Sequence, residues 1–175
     1  MKKLKNIQAV GLTGNPDQIQ KSGLVKKIVK SVEKTGRKVF IDPSLANLAK
    51  GCGIALPDTS ELSRMCDMLV VIGGDGTVLR VARETAGSNA PILGINAGRL
   101  GFLTTASTSN VEASLKTLWK GRYIVDPLPL IEATGELGGR KHKAIALNDI
   151  LISRGANPRL IEMEVEVDGE PLTTY

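Results

Sequence analysis

The sequence predicts an α/β protein: an open, mostly parallel sheet comes first, followed by the start of a second, all-β domain. Up to about residue 120, short aliphatic runs alternate with amphipathic segments, as strands and helices do in such sheets. The run Met68 to Ile72 is almost entirely aliphatic, which is typical of a strand buried on both faces. After Tyr123 the helical spacing is lost, and strand-like runs follow one another.

The first part of the chain divides into strand–helix units. Apolar residues at positions 24, 25, 28, 29 and 32 have helical spacing, and Gly36 is expected to end that helix. Thr77 is expected to be the N-cap of the helix that follows Met68 to Ile72. The predicted strands are 5–12, 38–41, 68–72 and 91–95, and the predicted helices are 17–34, one from residue 44, 61–65, 77–86 and 108–120.

The second part of the chain predicts antiparallel strands. Three strand-like runs, at 128–134, 144–153 and 161–167, are separated or followed by the turn pairs Gly138-Gly139 and Asp168-Gly169. We therefore expect an α/β domain over residues 1–125 and the beginning of an all-β domain over 126–175. So few strands would leave apolar faces and edges open, so we expect a fragment or a surface that something covers.

The composition narrows the class of protein. With 175 residues, 42% of them hydrophobic and 3% aromatic, the chain is expected to fold around an aliphatic core. The net charge of +5 suits a protein that handles nucleotides. Dispersed lysines and scarce aromatics argue against nucleic acid binding. No apolar run is long enough to span a bilayer, and Cys52 and Cys66 lack metal or redox spacing, so a cytoplasmic protein is expected.

The stretch Gly73-Gly74-Asp75-Gly76-Thr77 carries the chemistry. Glycines between a strand and a helix leave backbone N–H groups free for phosphate oxygens, and the helix directs its positive end at the same place. A carboxylate there would repel phosphate unless it holds a bridging cation or takes a proton from a hydroxyl. Arg80 lies one turn further on and could contact a phosphate. The alternative is an ordinary strand–helix turn with an aspartate cap.

Three further stretches support a family resemblance. Gly73–Thr77 resembles the GGDGT signature of NAD kinases, which phosphofructokinases and the diacylglycerol and sphingosine kinases share. Asn96–Thr104 resembles the N-x-G-x-L-G-F-L loop of NAD kinases, and Ala146–Ile150 resembles their A-L-N-E motif. Asn15-Pro16, after the first strand, is also typical of that family. The order and spacing of these motifs match along essentially the whole chain.

The resemblance implies an enzyme that phosphorylates the 2′-hydroxyl of the adenosine ribose of NAD, giving NADP. It implies ATP or polyphosphate as phosphoryl donor, a divalent ion (Mg or Mn) that no residue is assigned to bind, and a homodimer or homotetramer. Asp75 would be the catalytic base, and Arg159 would make a contact between subunits. Phe102 could equally line the pocket or pack its loop onto the core. The residues implied in binding NAD or the donor are Gly74, Asp75, Gly76, Arg80, Asn96, Phe102, Asn148, Asp149 and Arg159.

The chain departs from the family pattern in two places. Asp149 replaces the more usual glutamate, and the later T-G-S-T-A-Y loop of the family is not present. Two other functions stay open at this point. One is a lipid or sugar kinase with the same glycine turn, and the other is a non-catalytic nucleotide-binding module.

Overall fold

A six-stranded parallel sheet dominates the structure, a computed structural model that describes residues 7–19, 23–98, 101–153 and 160–175. Every strand pair in this sheet is parallel, so the predicted α/β class is confirmed. Its strands are β1 (Ala9–Gly14), β2 (Lys38–Ile41), β3 (Ile54–Ala55), β4 (Met68–Gly73), β5 (Ile92–Asn96) and β6 (Ala106–Ser107).

Five helices cover both faces of the sheet. On one face, Leu12 and Val70 belong to the same core cluster as Ile28; on the other, Leu69 clusters with Val81. Because β4 is buried on both sides, all six of its residues are inaccessible, as its aliphatic sequence predicts. The helices are α1 (Leu24–Glu33), α2 (Pro43–Ala49), α3 (Thr59–Met65), α4 (Asp75–Glu84) and α5 (Val111–Trp119).

The strand order creates a switch point beside β4. The order is β3-β2-β1-β4-β5-β6, so the chain first builds outward from β1 in one direction and then outward from β4 in the other. Ligands of such sheets bind outside the carboxyl ends of the strands where the order reverses. That position lies between the ends of β1 at Gly14 and β4 at Gly73.

The first helix is shorter than the predicted 17–34, for a local reason. Pro16–Gln18 form a single 3-10 turn, which the Asn15 side chain caps by accepting a hydrogen bond from the Asp17 N–H. Gly23 has φ of 81°, a left-handed conformation that a helix cannot pass through, so α1 begins at Leu24. The first strand runs from Ala9 to Gly14 rather than 5–12, and residues 1–6 lie outside the described part.

Two antiparallel hairpins follow the sheet. They consist of β7 (Ile131–Leu137) with β8 (Arg140–Ala146), and β9 (Glu164–Val167) with β10 (Glu170–Thr174). Their turns lie at Gly138-Gly139 and Asp168-Gly169, as predicted, and all four residues have positive φ. The strand expected at 144–153 runs instead from 140 to 146, because it starts directly after the first turn.

None of the helices in the described residues combines the length and the apolar character that crossing a bilayer requires.

Candidate functional site

The glycine turn lies at the carboxyl end of β4, beside the switch point. Strand β4 ends at Gly73, Gly74 is the N-cap of α4, and Asp75 is its first residue. Thr77 is therefore not the N-cap that the sequence predicts. Its buried side chain packs against Gly73 so closely that a Cβ at Gly73 would overlap it. The helix starts two residues earlier than predicted, which brings its positive end to the turn.

The carboxylate of Asp75 is held by a loop that is distant in sequence. Its Oδ2 accepts a hydrogen bond from the Phe102 N–H at 2.8 Å, and its Oδ1 accepts one from the Leu103 N–H at 3.1 Å. Charge-assisted bonds of this kind are stronger than neutral ones. The structure thus joins two of the stretches that the sequence analysis singled out, the glycine turn and the loop after β5.

Gln18 is a site residue that the sequence analysis did not find. Its side-chain Oε1 accepts a hydrogen bond from the Gly74 N–H at 2.9 Å. The Gln18 amide oxygen thus already accepts from one of the N–H groups that the glycine turn would otherwise offer to a phosphate oxygen. The sequence signal was the neighbouring Asn15-Pro16 turn, which places residue 18 at the same edge of the sheet.

The turn has space beside it. Among the described residues, a Cβ added at Gly76 would meet no atom within 4 Å, and one at Gly74 would meet only the Gln18 Oε1, at 3.8 Å. Backbone without side chains next to open space lets a ligand come close to the N–H groups of the first helical turn. The arrangement can therefore accept an anion at the start of α4.

Arg80 points back toward the end of β1. Its Nη1 pairs with Glu84 at 2.7 Å, and its Nη2 lies 3.5 Å from the carbonyl oxygen of Gly14. The guanidinium is therefore near the switch point, although Glu84 offsets part of its charge. A phosphate at this edge would compete with Glu84 for the same forked donors.

Asn96 and Phe102 have different surroundings. Asn96, at the end of β5, is 2% exposed; its Nδ2 donates to the Thr104 hydroxyl at 3.2 Å and its Oδ1 accepts from the Gly98 N–H at 2.7 Å. Through these two bonds, Asn96 holds the loop that follows it in place. The Phe102 side chain is fully exposed, so it does not pack the loop onto the core.

The later predicted residues lie in the second part of the chain. Asn148 and Asp149 are exposed and follow β8, which lies against α4. Asn148 has φ of 84°, a left-handed conformation that asparagine adopts more readily than most residues. Arg159 lies outside the described residues. In the part of the chain that is described, no three or more His, Cys, Asp or Glu side chains gather as a metal site would require.

Comparison with protein families decides the assignment. The family described as the ATP-NAD kinase N-terminal domain matches residues 10–123. The chain belongs to the NAD kinase family. The resemblance drawn from the GGDGT turn and the loop after it is thereby confirmed.

Curated NAD kinases match nearly the whole chain. That of Teredinibacter turnerae is 32% identical over 168 residues, which cover 95% of this chain and 57% of that protein. That of Desulforamulus reducens is 34% identical over 165 residues, covering 94% of this chain and 57% of that protein. The chain therefore spans a little over half the length of these NAD kinases.

Two solved structures have a similar fold. An NAD kinase from Archaeoglobus fulgidus in complex with ATP aligns with a TM-score of 0.69 at 26% identity, covering 95% of this chain and 56% of that one. Yeast NADH kinase complexed with NADH aligns with a TM-score of 0.77 at 20% identity, covering 97% and 55%. At the lower identity, the likeness concerns the fold.

Proposed function

We propose that the protein containing this chain transfers a phosphoryl group from ATP or another donor to the 2′-hydroxyl of the adenosine ribose of NAD. One observation carries the proposal beyond family membership. A single carboxylate, that of Asp75, begins α4 at the switch point of the sheet and is fixed there by two backbone N–H groups. Phosphoryl transfer to an alcohol needs a positioned base beside donors for phosphate oxygens, and this turn supplies both.

Asp75 would act as the base. A sugar hydroxyl is a poor nucleophile, and a carboxylate within hydrogen-bond reach accepts its proton as the bond to phosphorus forms. A carboxylate has about four lone-pair sites on its two oxygens, so the single bonds that it accepts from the Phe102 and Leu103 N–H groups leave room for the hydroxyl proton. They also restrict its orientation, which lowers the entropy lost on reaching the reactive geometry.

The start of α4 would hold the transferred phosphoryl group. Gly74 and Gly76 border open space, and the helix dipole favours negative charge there. The Gln18 oxygen on the Gly74 N–H stands where a phosphate oxygen would accept, so it would leave when the donor binds. Arg80 would add a forked contact from the β1 side.

A divalent ion, Mg or Mn, is part of this proposal. Such ions are commonly held by the donor phosphates, several waters and one or two carboxylates. Asp75 fits as one such carboxylate, because its oxygens border the same turn as the phosphate donors. When bound, the ion would offset charge on the phosphates.

The NAD side of the site would come from the second part of the chain. Asn148 can donate to and accept from adenine, and Asp149 can accept from ribose hydroxyls. Both are exposed, and the strand before them lies against α4. We further propose that Asn96 shapes this side, that the ring of Phe102 contacts NAD, and that Arg159 does so from a neighbouring subunit of a homodimer or homotetramer.

The proposal also covers the domain boundary, the cellular location and the class of ligand. We propose a boundary between two domains near residues 125 and 126, because no described residue beyond Leu118 is buried. We propose a cytoplasmic enzyme, since both substrates are nucleotides. We propose that it binds small molecules rather than nucleic acid, since the net charge is only +5 and aromatics make up 3%.

The test is Asp75→Asn in the complete protein, with NADP formation measured against a range of NAD concentrations. Loss of a general base lowers turnover by about 10²–10⁴-fold. Asp58→Asn is the matched control, because asparagine caps a helix as well as aspartate does and Asp58 caps α3. Undiminished turnover by Asp75→Asn would refute the role of Asp75.

A second candidate function for this chain is a module that binds nucleotide without catalysing transfer. Calorimetry with NAD and with ATP, followed by a turnover assay, separates the two: binding without turnover supports the binding module. A panel of NAD, diacylglycerol and fructose 6-phosphate tests the lipid and sugar kinase alternatives.

A further inference from the structure

We propose that Gly101 is a positioning residue for Asp75: its missing side chain lets the loop dock on the carboxylate and fix its orientation. A Cβ built at Gly101 would overlap the Asp75 side chain, and the atoms it meets are both carboxylate oxygens and the carbon between them. No residue with a Cβ fits there without moving the carboxylate or the loop. The inference rests on the proposed role of Asp75 as the base.

The two hydrogen bonds to Asp75 depend on this close approach. Phe102 and Leu103 each donate to a different carboxylate oxygen, at 2.8 and 3.1 Å, and they directly follow Gly101. If the loop withdrew to make room for a methyl group, both N–H groups would move away together. The overlap at the built Cβ is enough to require glycine at position 101 for reasons of space.

A second set of bonds holds the loop from the side of β5. The buried Thr104 hydroxyl oxygen accepts from the Asn96 side-chain amide at 3.2 Å and from the Gly101 N–H at 3.4 Å. The Thr104 hydroxyl thus links Gly101 to the end of β5, and Gly101 lies in contact with the first residue of α4. A loop held on both sides has little freedom to absorb an added side chain, so the carboxylate would have to turn.

Reorientation of the carboxylate is the expected consequence for the reaction. A base must lie within hydrogen-bond reach of the proton it takes, and a displacement of about 1 Å can cost about 10²-fold in rate. The exposed ring of Phe102 would move with the same backbone. Gly101→Ala is therefore expected to lower kcat without a comparable change in KM for ATP.

The chain offers a matched control in the same loop. A Cβ at Gly98 would meet no atom of the described residues within 4 Å, and Gly98 is not among the described glycines with positive φ. Gly98→Ala therefore adds the same methyl group and the same loss of backbone freedom without touching Asp75. A difference between the two variants isolates the contact with the carboxylate from a general effect on the loop.

The first experiment measures amide hydrogen exchange of Phe102 and Leu103 in the ¹⁵N-labelled chain by NMR. In the wild type and in Gly98→Ala, both amide protons should be protected, because each donates to an Asp75 oxygen. In Asp75→Ala and in Gly101→Ala, both should exchange faster. Protection in Gly101→Ala equal to that in Gly98→Ala would overturn the proposal.

A double-mutant cycle keeps the proposal testable if Gly101→Ala folds poorly. Removing the carboxylate with Asp75→Ala makes room for the methyl group, so Gly101→Ala should destabilise the chain with Asp75 present and much less with Ala at 75. Urea unfolding of the four proteins measures this coupling. An equal cost in both backgrounds means that Asp75 is not the steric partner, and the inference fails.

Turnover in the complete protein separates this inference from the proposed function. If Asp75→Asn abolishes NADP formation and Gly101→Ala lowers kcat about 10²-fold, both stand. If Asp75→Asn abolishes it while Gly101→Ala equals Gly98→Ala, the positioning role fails and the base survives. If Asp75→Asn has full turnover, the proposed catalytic role fails, and Gly101 has no base to position.

Discussion

The parallel sheet and the two hairpins of this chain are built in opposite ways. In the sheet, β4 is flanked on both edges by strands and on both faces by helices, and all six of its residues are buried. In the hairpins, each strand pairs with one partner, and no residue of the four strands is buried. Both regions contain regular secondary structure, but only the sheet has a core of its own.

The difference shows what a strand pattern alone can specify. Strand β9 alternates apolar and acidic residues, which defines two faces, yet its apolar Val167 is 53% exposed. A two-stranded hairpin is marginal in water unless its apolar face packs against something. The sheet should therefore determine the stability of the isolated chain, and the hairpins should contribute little.

The largest expected effect is a matched pair of leucine truncations. Leu12 in β1 is fully buried, while Leu137 in β7 is 76% exposed. Leu12→Ala should lower the free energy of unfolding by about 2–5 kcal/mol, because it leaves a cavity. Leu137→Ala should change it by less than about 0.5 kcal/mol. Urea midpoints measure both, and comparable losses would mean that the hairpins do have a core.

The next effect concerns a buried polar pair inside the sheet region. The Thr59 hydroxyl donates to Asp42 Oδ2 at 2.5 Å, and both residues are buried. Thr59→Val keeps the shape but removes the donor, which should cost about 1–3 kcal/mol because the carboxylate oxygen loses its partner. Thr59→Ser retains the hydroxyl and should lose less. A valine variant as stable as the wild type would show that this bond adds nothing.

A smaller effect should appear only at alkaline pH. Burial, with a lesser contribution from Asp67, raises the pKa of the Cys66 thiol to about 12 from the ordinary 9.0. A raised pKa favours folding while the thiol is protonated, so this contribution is complete below pH 9 and is lost as the pH rises toward 12.

The measurement is the free energy of unfolding at several pH values between 8 and 11. Wild type and Cys66→Ala should converge as the pH rises, because only the wild type has this thiol to ionise. Cys52→Ala is the control, because it removes the half-buried thiol and leaves Cys66 in place. Parallel curves for wild type and Cys66→Ala would contradict the assignment.

The smallest effect is expected in the first hairpin. Lys143 and Glu132 form an ion pair at 2.8 Å, with side chains 61% and 52% exposed. Exposed pairs of this kind are worth about 0–1 kcal/mol and are screened by salt. Lys143→Ala should therefore leave the urea midpoint within error of the wild type. A clear loss of stability would show that the hairpin contributes more than its exposure suggests.

The sequence predicted the sheet better than the contacts that complete the site. The aliphatic run at Met68 to Ile72 and the glycines after it were enough to locate β4 and its turn, because burial and turn conformation act locally. The hydrogen bonds of Gln18 to Gly74 and of Asp75 to Phe102 join residues 56 and 27 positions apart. No local pattern encodes such pairs; they follow from the strand order.

The ends of the helices and strands were predicted less well than the elements themselves. Thr77 is a good N-cap by type, but its side chain fills the space beside Gly73, and the extended backbone of Gly74 begins the helix instead. The hairpin turns were predicted, since Gly-Gly and Asp-Gly pairs tolerate positive φ. The lengths of the strands on either side of these turns were not predicted, because exposed strands have little burial to define their limits.

Gly73 pairs with Asn96 across β4 and β5, which brings the glycine turn and the loop after β5 to the same edge of the sheet. Among the described residues, the hydrogen bonds to the Asp75 carboxylate and the Gly74 amide come from Gln18, Phe102 and Leu103, all inside the part of the chain with its own core. Under the proposed function, the base and the phosphate donors thus belong to one folded unit. Exchanging the later strands would then change the acceptor while that unit stays in place.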